Sequence, residues 1–109
     1  KLATDGTDFT LSSGFGATRS IAVAAGSTAF RGSAIITGAG GTYGANPTAT
    51  LAIPAPIYQL APVVVTSRMG GDQLTIPINV ASTSTSGIVF KFIGTADAET
   101  YGFSWICVG

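Results

Sequence analysis

The stretch that closes this chain, Tyr101 to Gly109, alternates in a way that suits only an extended segment. Successive side chains of a strand point to opposite faces. Tyr101, Phe103, Trp105 and Cys107 then share one face, and all are large or apolar. Gly102, Ser104, Ile106 and Val108 share the other, which turns apolar toward its end. A strand apolar on one face packs a core, and a strand apolar on both is covered on both. In a chain of 109 residues the second cover is expected from another subunit.

The rest of the chain supplies partners for such a strand. Arg19 to Ala25, Ala29 to Thr37, Thr48 to Ile53, Val63 to Ser67, Gln73 to Ala81 and Ile88 to Ile93 are short β-rich runs, with a further one at Asp8 to Leu11. Gly, Pro, Ser and Asn separate them, and no window carries helical periodicity. Gly32 inside a strand predicts a bulge or a close backbone approach, and Pro77 predicts an edge or a bulge. Pro54 and Pro56 make 52–58 an edge or crossing segment. In Ile88 to Ile93, Phe90 and Phe92 share a face. The pattern predicts an all-β, antiparallel sandwich of six to eight strands. Residues 1–16 read as a connector from a preceding region, and 17–109 as the β-sandwich. The absence of a starting Met reads as a piece of a longer protein.

Charge excludes several partners. Five basic and five acidic residues leave a net charge of zero. Lys1, Arg19, Arg31, Arg68 and Lys91 are scattered singly, whereas nucleic-acid binding needs clustered cations. No run approaches the roughly 18 apolar residues of a spanning helix, so membrane insertion is not expected. With no His and one Cys, neither a disulfide nor the usual zinc site can form within the chain. No cofactor is expected. Charged residues are only 9% of the chain, and the apolar excess is spread over short segments, which favours a homo-oligomer.

Without His the commonest general base is missing. Asp97 and Glu99 would share a face about 6 to 7 Å apart if extended, a spacing near that of an inverting glycosidase. Two solvated carboxylates beside a turn are the plainer reading. Gly38 to Tyr43 fails as a dinucleotide loop, because Tyr43 stands where glycine belongs and no helix pattern follows. Trp105 reads as core before sugar platform. Tyr43 and Tyr58 sit in Gly- or Pro-rich loops, where recognition residues concentrate. Arg31, Arg68, Asp72, Asn79, Asp97 and Glu99 are the remaining groups able to orient a sugar hydroxyl, with Arg68 and Asp72 as a local pair across the Met69 to Gly71 turn.

From Ile53 onward the order of motifs resembles the H-type lectin domain. An apolar-Pro approach (Ile53 to Tyr58) leads to Pro62-Val63-Val64-Val65, a turn holding Asp72, and a long strand. Ser86-Gly87-Ile88 and a final Phe103-Ser104-Trp105-Ile106 follow. The Gly/Ala/Ser/Thr-rich front half is similar to a phage tail fibre, whose tips often end in such a domain. The resemblance implies a six-stranded antiparallel sandwich that assembles as a trimer. Its sugar-contacting positions are not kept: Asn79 stands for an Arg, Ile93-Gly94 for a Trp-His pair, and Glu99 for a Tyr. N-acetylgalactosamine specificity is therefore not carried over.

The expectation is a non-enzymatic homotrimer at the distal end of a phage tail fibre, outside the cell on the virion. It would bind a bacterial surface polysaccharide or lipopolysaccharide through Tyr43, Tyr58, Arg68, Asp72, Asn79, Asp97 or Glu99. The alternative is a structural trimerisation cap without its own ligand site, and a glycosidase using Asp97 and Glu99 comes third.

Overall fold

The structure is a computed structural model and describes residues 3–55 and 57–109. Pro56, read above as a strand breaker, lies outside these residues, as do Lys1 and Leu2. The strands are β1 (Phe9–Leu11), β2 (Ser20–Val23), β3 (Arg31–Thr37), β4 (Thr48–Ala52), β5 (Val63–Arg68), β6 (Ile78–Thr83), β7 (Gly87–Phe92) and β8 (Thr100–Val108). They form two four-stranded antiparallel sheets, ordered β1-β4-β7-β6 and β2-β3-β8-β5. The chain is thus all-β with eight strands among the described residues, rather than the six that the resemblance implies.

The alternation of β8 decides the core. Tyr101, Phe103, Trp105 and Cys107 are buried, and opposite them lie Ile88, Phe90 and Phe92 of β7 with Ala49 and Leu51 of β4. Phe103 sits at the centre, its ring 5.2 Å from that of Phe90, 5.7 Å from Phe92, 5.8 Å from Trp105 and 6.0 Å from Phe9. Most of these pairs are edge-on or tilted, the arrangement the aromatic quadrupole favours. The Trp105 indole N–H donates to the Thr28 carbonyl at 3.0 Å, so its one polar atom is satisfied inside the fold.

Two expectations need correction. Residues 3–16, read as part of a connector, belong to the sandwich: β1 pairs with β4, and Phe9 and Phe15 enter the core. Phe15 is completely buried against Phe92 and Tyr101, at 5.6 and 5.5 Å. The polar residues around these two rings hide the signal, because β1 is only three residues long. The strand placed at Gln73 to Ala81 begins at Ile78, since 73–77 is a loop whose carbonyls are taken by an arginine described below. Pro77 immediately precedes this strand, which does lie at a sheet edge. That strand also carries a register shift, between Val80 and Ser82, so both features offered for it are present, whereas Gly32 carries no bulge.

Gly32 instead meets the close approach foreseen for it. It pairs with Trp105, and a Cβ there would lie 2.5 Å from the indole Cζ2 and 2.6 Å from Ser27. Gly32→Ala is therefore expected to cost about 1–3 kcal/mol by overpacking, and Phe103→Ala about 3–5 kcal/mol by leaving a cavity. Urea denaturation of both variants checks this. A loss within experimental error of zero for Phe103→Ala would remove the aromatic cluster as the organising contact.

Candidate binding surface

The polar residues singled out above divide by what the fold does with them. Arg68 is the last residue of β5 and, like Val64 and Thr66, points inward. Its Nε donates to the Gly102 carbonyl at 2.9 Å, and its two terminal nitrogens donate to the carbonyls of Ile76 and Gln73. The guanidinium carbon lies 5.5 Å from the Phe92 ring centroid and 5.8 Å from that of Tyr101. Arg68 is thus a clamp on the 69–77 loop, and the expected local pair with Asp72 is replaced by carbonyl contacts. Asp72 is exposed and accepts from the Thr100 hydroxyl at 3.1 Å, while its own N–H donates back to that oxygen at 2.8 Å.

Asp97 is also engaged internally. Its carboxylate accepts from the Gln73 amide at 3.0 Å and the Tyr101 hydroxyl at 2.5 Å, tying two loops together. Glu99 is exposed. The segment from Ala96 to Glu99 is not a strand, so the extended, face-sharing geometry supposed for the two carboxylates is not realised. Arg68, Asp72 and Asp97 are brought together around the 69–77 loop, but as structural bonds.

Tyr58 departs most from its reading as a loop recognition residue. It lies in a loop, yet its ring is buried and packs edge-on to Phe30 at 5.6 Å. Its hydroxyl donates to the Ala29 carbonyl at 3.1 Å. Tyr43 is half-buried against the core beside Gly16. Asn79 is exposed on edge strand β6, opposite Lys91 of β7. These residues do not converge on one pocket.

What does converge is the outer face of the β2-β3-β8-β5 sheet. Val63 pairs with Val108 and Val65 with Ile106, so four apolar side chains form a contiguous block. They are 68, 66, 63 and 56% exposed for Val63, Val108, Val65 and Ile106, respectively. Beside this block, across Ile106, the sheet dips into a depression of about 430 Å³ lined by Ala24 to Ser27, Arg31 to Ser33, Met69 and Ser104 to Ile106. It continues into a second, apolar one of about 250 Å³ along Ala22 to Ala24 and Ile35, sharing Ala24, Ser33 and Met69. Met69 is held there because its N–H donates to the Gly102 carbonyl at 2.9 Å. A Cβ on Gly102 would collide with the Met69 carbonyl, so glycine is required beneath that turn. Of this groove, Arg31 was legible as a polar candidate and Ile106 as the outward side of β8. Ser33, Ser104 and Met69 carried no signal, because only strand register places them side by side.

Comparison with protein-family models, with curated proteins and with solved structures finds no match. Among the described residues no group of His, Cys, Asp and Glu could hold a metal ion, and no helix is long and apolar enough to cross a membrane.

Two predictions follow from the buried polar groups. Arg68→Ala strips three carbonyls of a charged donor, and hydrogen bonds to charged groups are each worth about 1.5–3 kcal/mol. A loss of at least about 2 kcal/mol in urea denaturation is expected, with faster proteolysis at the 69–77 loop. An unchanged loop cleavage rate would show that Arg68 does not hold it.

Burial pushes the Tyr58 hydroxyl up to about 12, helped by neighbouring Cys107. Burial also raises Tyr101, reinforced by its bond to Asp97, and raises the Cys107 thiol. In the unfolded chain tyrosines ionise near pH 10. Above that pH the unfolded state binds fewer protons than the native state, so stability falls as pH rises toward about 12. The urea midpoint should drop steadily between pH 9 and 11, and less steeply in Tyr58→Phe. A flat profile would contradict burial of these phenols.

Proposed function

We propose that this chain is a non-enzymatic β-sandwich that assembles as a homotrimer through the apolar β5-β8 block on one side of the outer face of its β2-β3-β8-β5 sheet. It sits at the distal end of a bacteriophage tail fibre and binds a host-surface glycan. The observation that carries the proposal is the block formed by Val63, Val65, Ile106 and Val108. Covering a Val or Ile side chain fully is worth about 1.5–3 kcal/mol, and contiguous exposed apolar patches mark interaction surfaces. The lectin-like order of motifs in residues 53–109 supplies the trimer and the class of ligand. Asp97 is occupied by Gln73 and Tyr101 and does not share an extended face with Glu99, which favours binding over hydrolysis.

A second reading, a trimerisation cap without a ligand site, is favoured by one specific observation. Tyr58, Arg68, Asp72 and Asp97 are spent on internal hydrogen bonds. Light scattering coupled to size exclusion, with adsorption to bacterial cells, separates the two. The wild type is expected to be trimeric, and Val63→Asp monomeric but still folded. Adsorption should weaken on monomerisation, because three linked sites gain avidity that one lacks. A wild-type monomer at tens of micromolar would remove the trimer. Adsorption lost in Val63→Asp yet indifferent to changes at Tyr43, Asn79, Glu99 and the outer-face groove would establish the cap.

A further inference from the structure

We infer that the groove beside the apolar block is a binding site for a carboxylate-bearing sugar unit, with Arg31 as its anchor. The inference rests on the glycan-binding reading and names the chemical class of the ligand.

The cations of the described chain are used unequally. Arg19 donates to the Leu11 carbonyl at 3.0 Å and the Gly16 carbonyl at 3.1 Å, and Arg68 is fully engaged on its loop. The Arg31 side chain is exposed and makes no hydrogen bond or ion pair among the described residues. Its backbone, in contrast, is fixed: the Thr28 N–H donates to the Arg31 carbonyl at 2.8 Å, and the Arg31 N–H donates to the Thr28 hydroxyl at 3.3 Å. A guanidinium is always charged, and its planar fork matches a carboxylate with two parallel bonds. Here it is presented from a rigid strand.

The groove complements such a ligand. No acidic side chain lines it, so nothing within it competes for Arg31 or repels an anion. Its volume of about 430 Å³ falls within the roughly 300–1,000 Å³ of small-molecule sites. Ser33 and Ser104 are paired across β3 and β8 and bring two hydroxyls to its floor. Met69 adds apolar wall suited to the C–H face of a pyranose. The adjoining apolar depression extends the site beyond one ring. A single cation beside hydroxyls and apolar wall fits an acidic saccharide better than a bare phosphate, which has no use for the latter two.

The test is an NMR titration of the intact protein with trigalacturonate and sialyllactose. Maltotriose is the uncharged control and inorganic phosphate the anion control. At least one acidic saccharide is expected to shift the Ser33, Ser104 and Met69 signals saturably, while maltotriose does not. Affinity should fall about tenfold or more in Arg31→Gln, be partly kept in Arg31→Lys, and weaken as salt rises from about 0.05 to 0.5 M. The inference is overturned if neither acidic saccharide gives saturable shifts or if Arg31→Gln binds as tightly as wild type. It also falls if phosphate alone reproduces the shifts at the same concentration. Arg31→Gln is expected to remain trimeric. If it also adsorbs to cells like wild type, the groove assignment falls while the fibre-tip reading stands.

Discussion

Phe103 touches both sheets at once, and the sandwich depends on that contact. Its ring meets Phe90 and Phe92 across the core and Trp105 along its own strand. Strand β8, which carries it, is flanked by β3 on one side and β5 on the other. Every element that shapes the outer surface is therefore referenced to β8. The sheet register sets Ser33 beside Ser104 and Val65 beside Ile106, and the apolar block and the groove are consequences of that register. A one-residue slip would exchange the two faces of the strand, so burying the aromatic face also fixes what faces solvent.

With so few charged residues, the fold uses its polar groups economically. Arg68 satisfies three carbonyls, two in the 69–77 loop and one on β8, and covers two aromatic rings. Asp97 joins Gln73 to Tyr101, and no buried side-chain nitrogen or oxygen among the described residues is left without a partner. This explains why most of the residues that look suited to a ligand do not face one. A loop held by an arginine inside the protein is pre-shaped, and it delivers Met69 to the outer face of the sheet. The candidate binding surface is then a sheet face edged by turns rather than a cluster of loop tips.

Much of the architecture was legible. The alternation of residues 101–108, the paired Phe90 and Phe92, and the edge position announced by Pro77 all reappear in the structure. The site was less so. Tyr58 occupies a proline-rich loop and yet turns inward, because Phe30 and the Ala29 carbonyl offer it both an aromatic edge and an acceptor. Phe9 and Phe15 lie in a polar stretch with no periodicity to betray them. A three-residue strand and isolated aromatic anchors leave too short a pattern to read.

By itself, then, the sequence determined the β class, the two faces of the closing strand and the apolar excess of its outward side. These follow from a period of two, which is a local property of an extended chain. Only the tertiary structure decided that eight strands form two sheets, that Phe9 and Phe15 belong to the core, and that Arg68 and Asp97 bond inward while Arg31 faces the groove. Those outcomes depend on backbone carbonyls and cross-strand neighbours far apart in the chain. A carbonyl acceptor leaves no mark in the sequence, since every residue carries one.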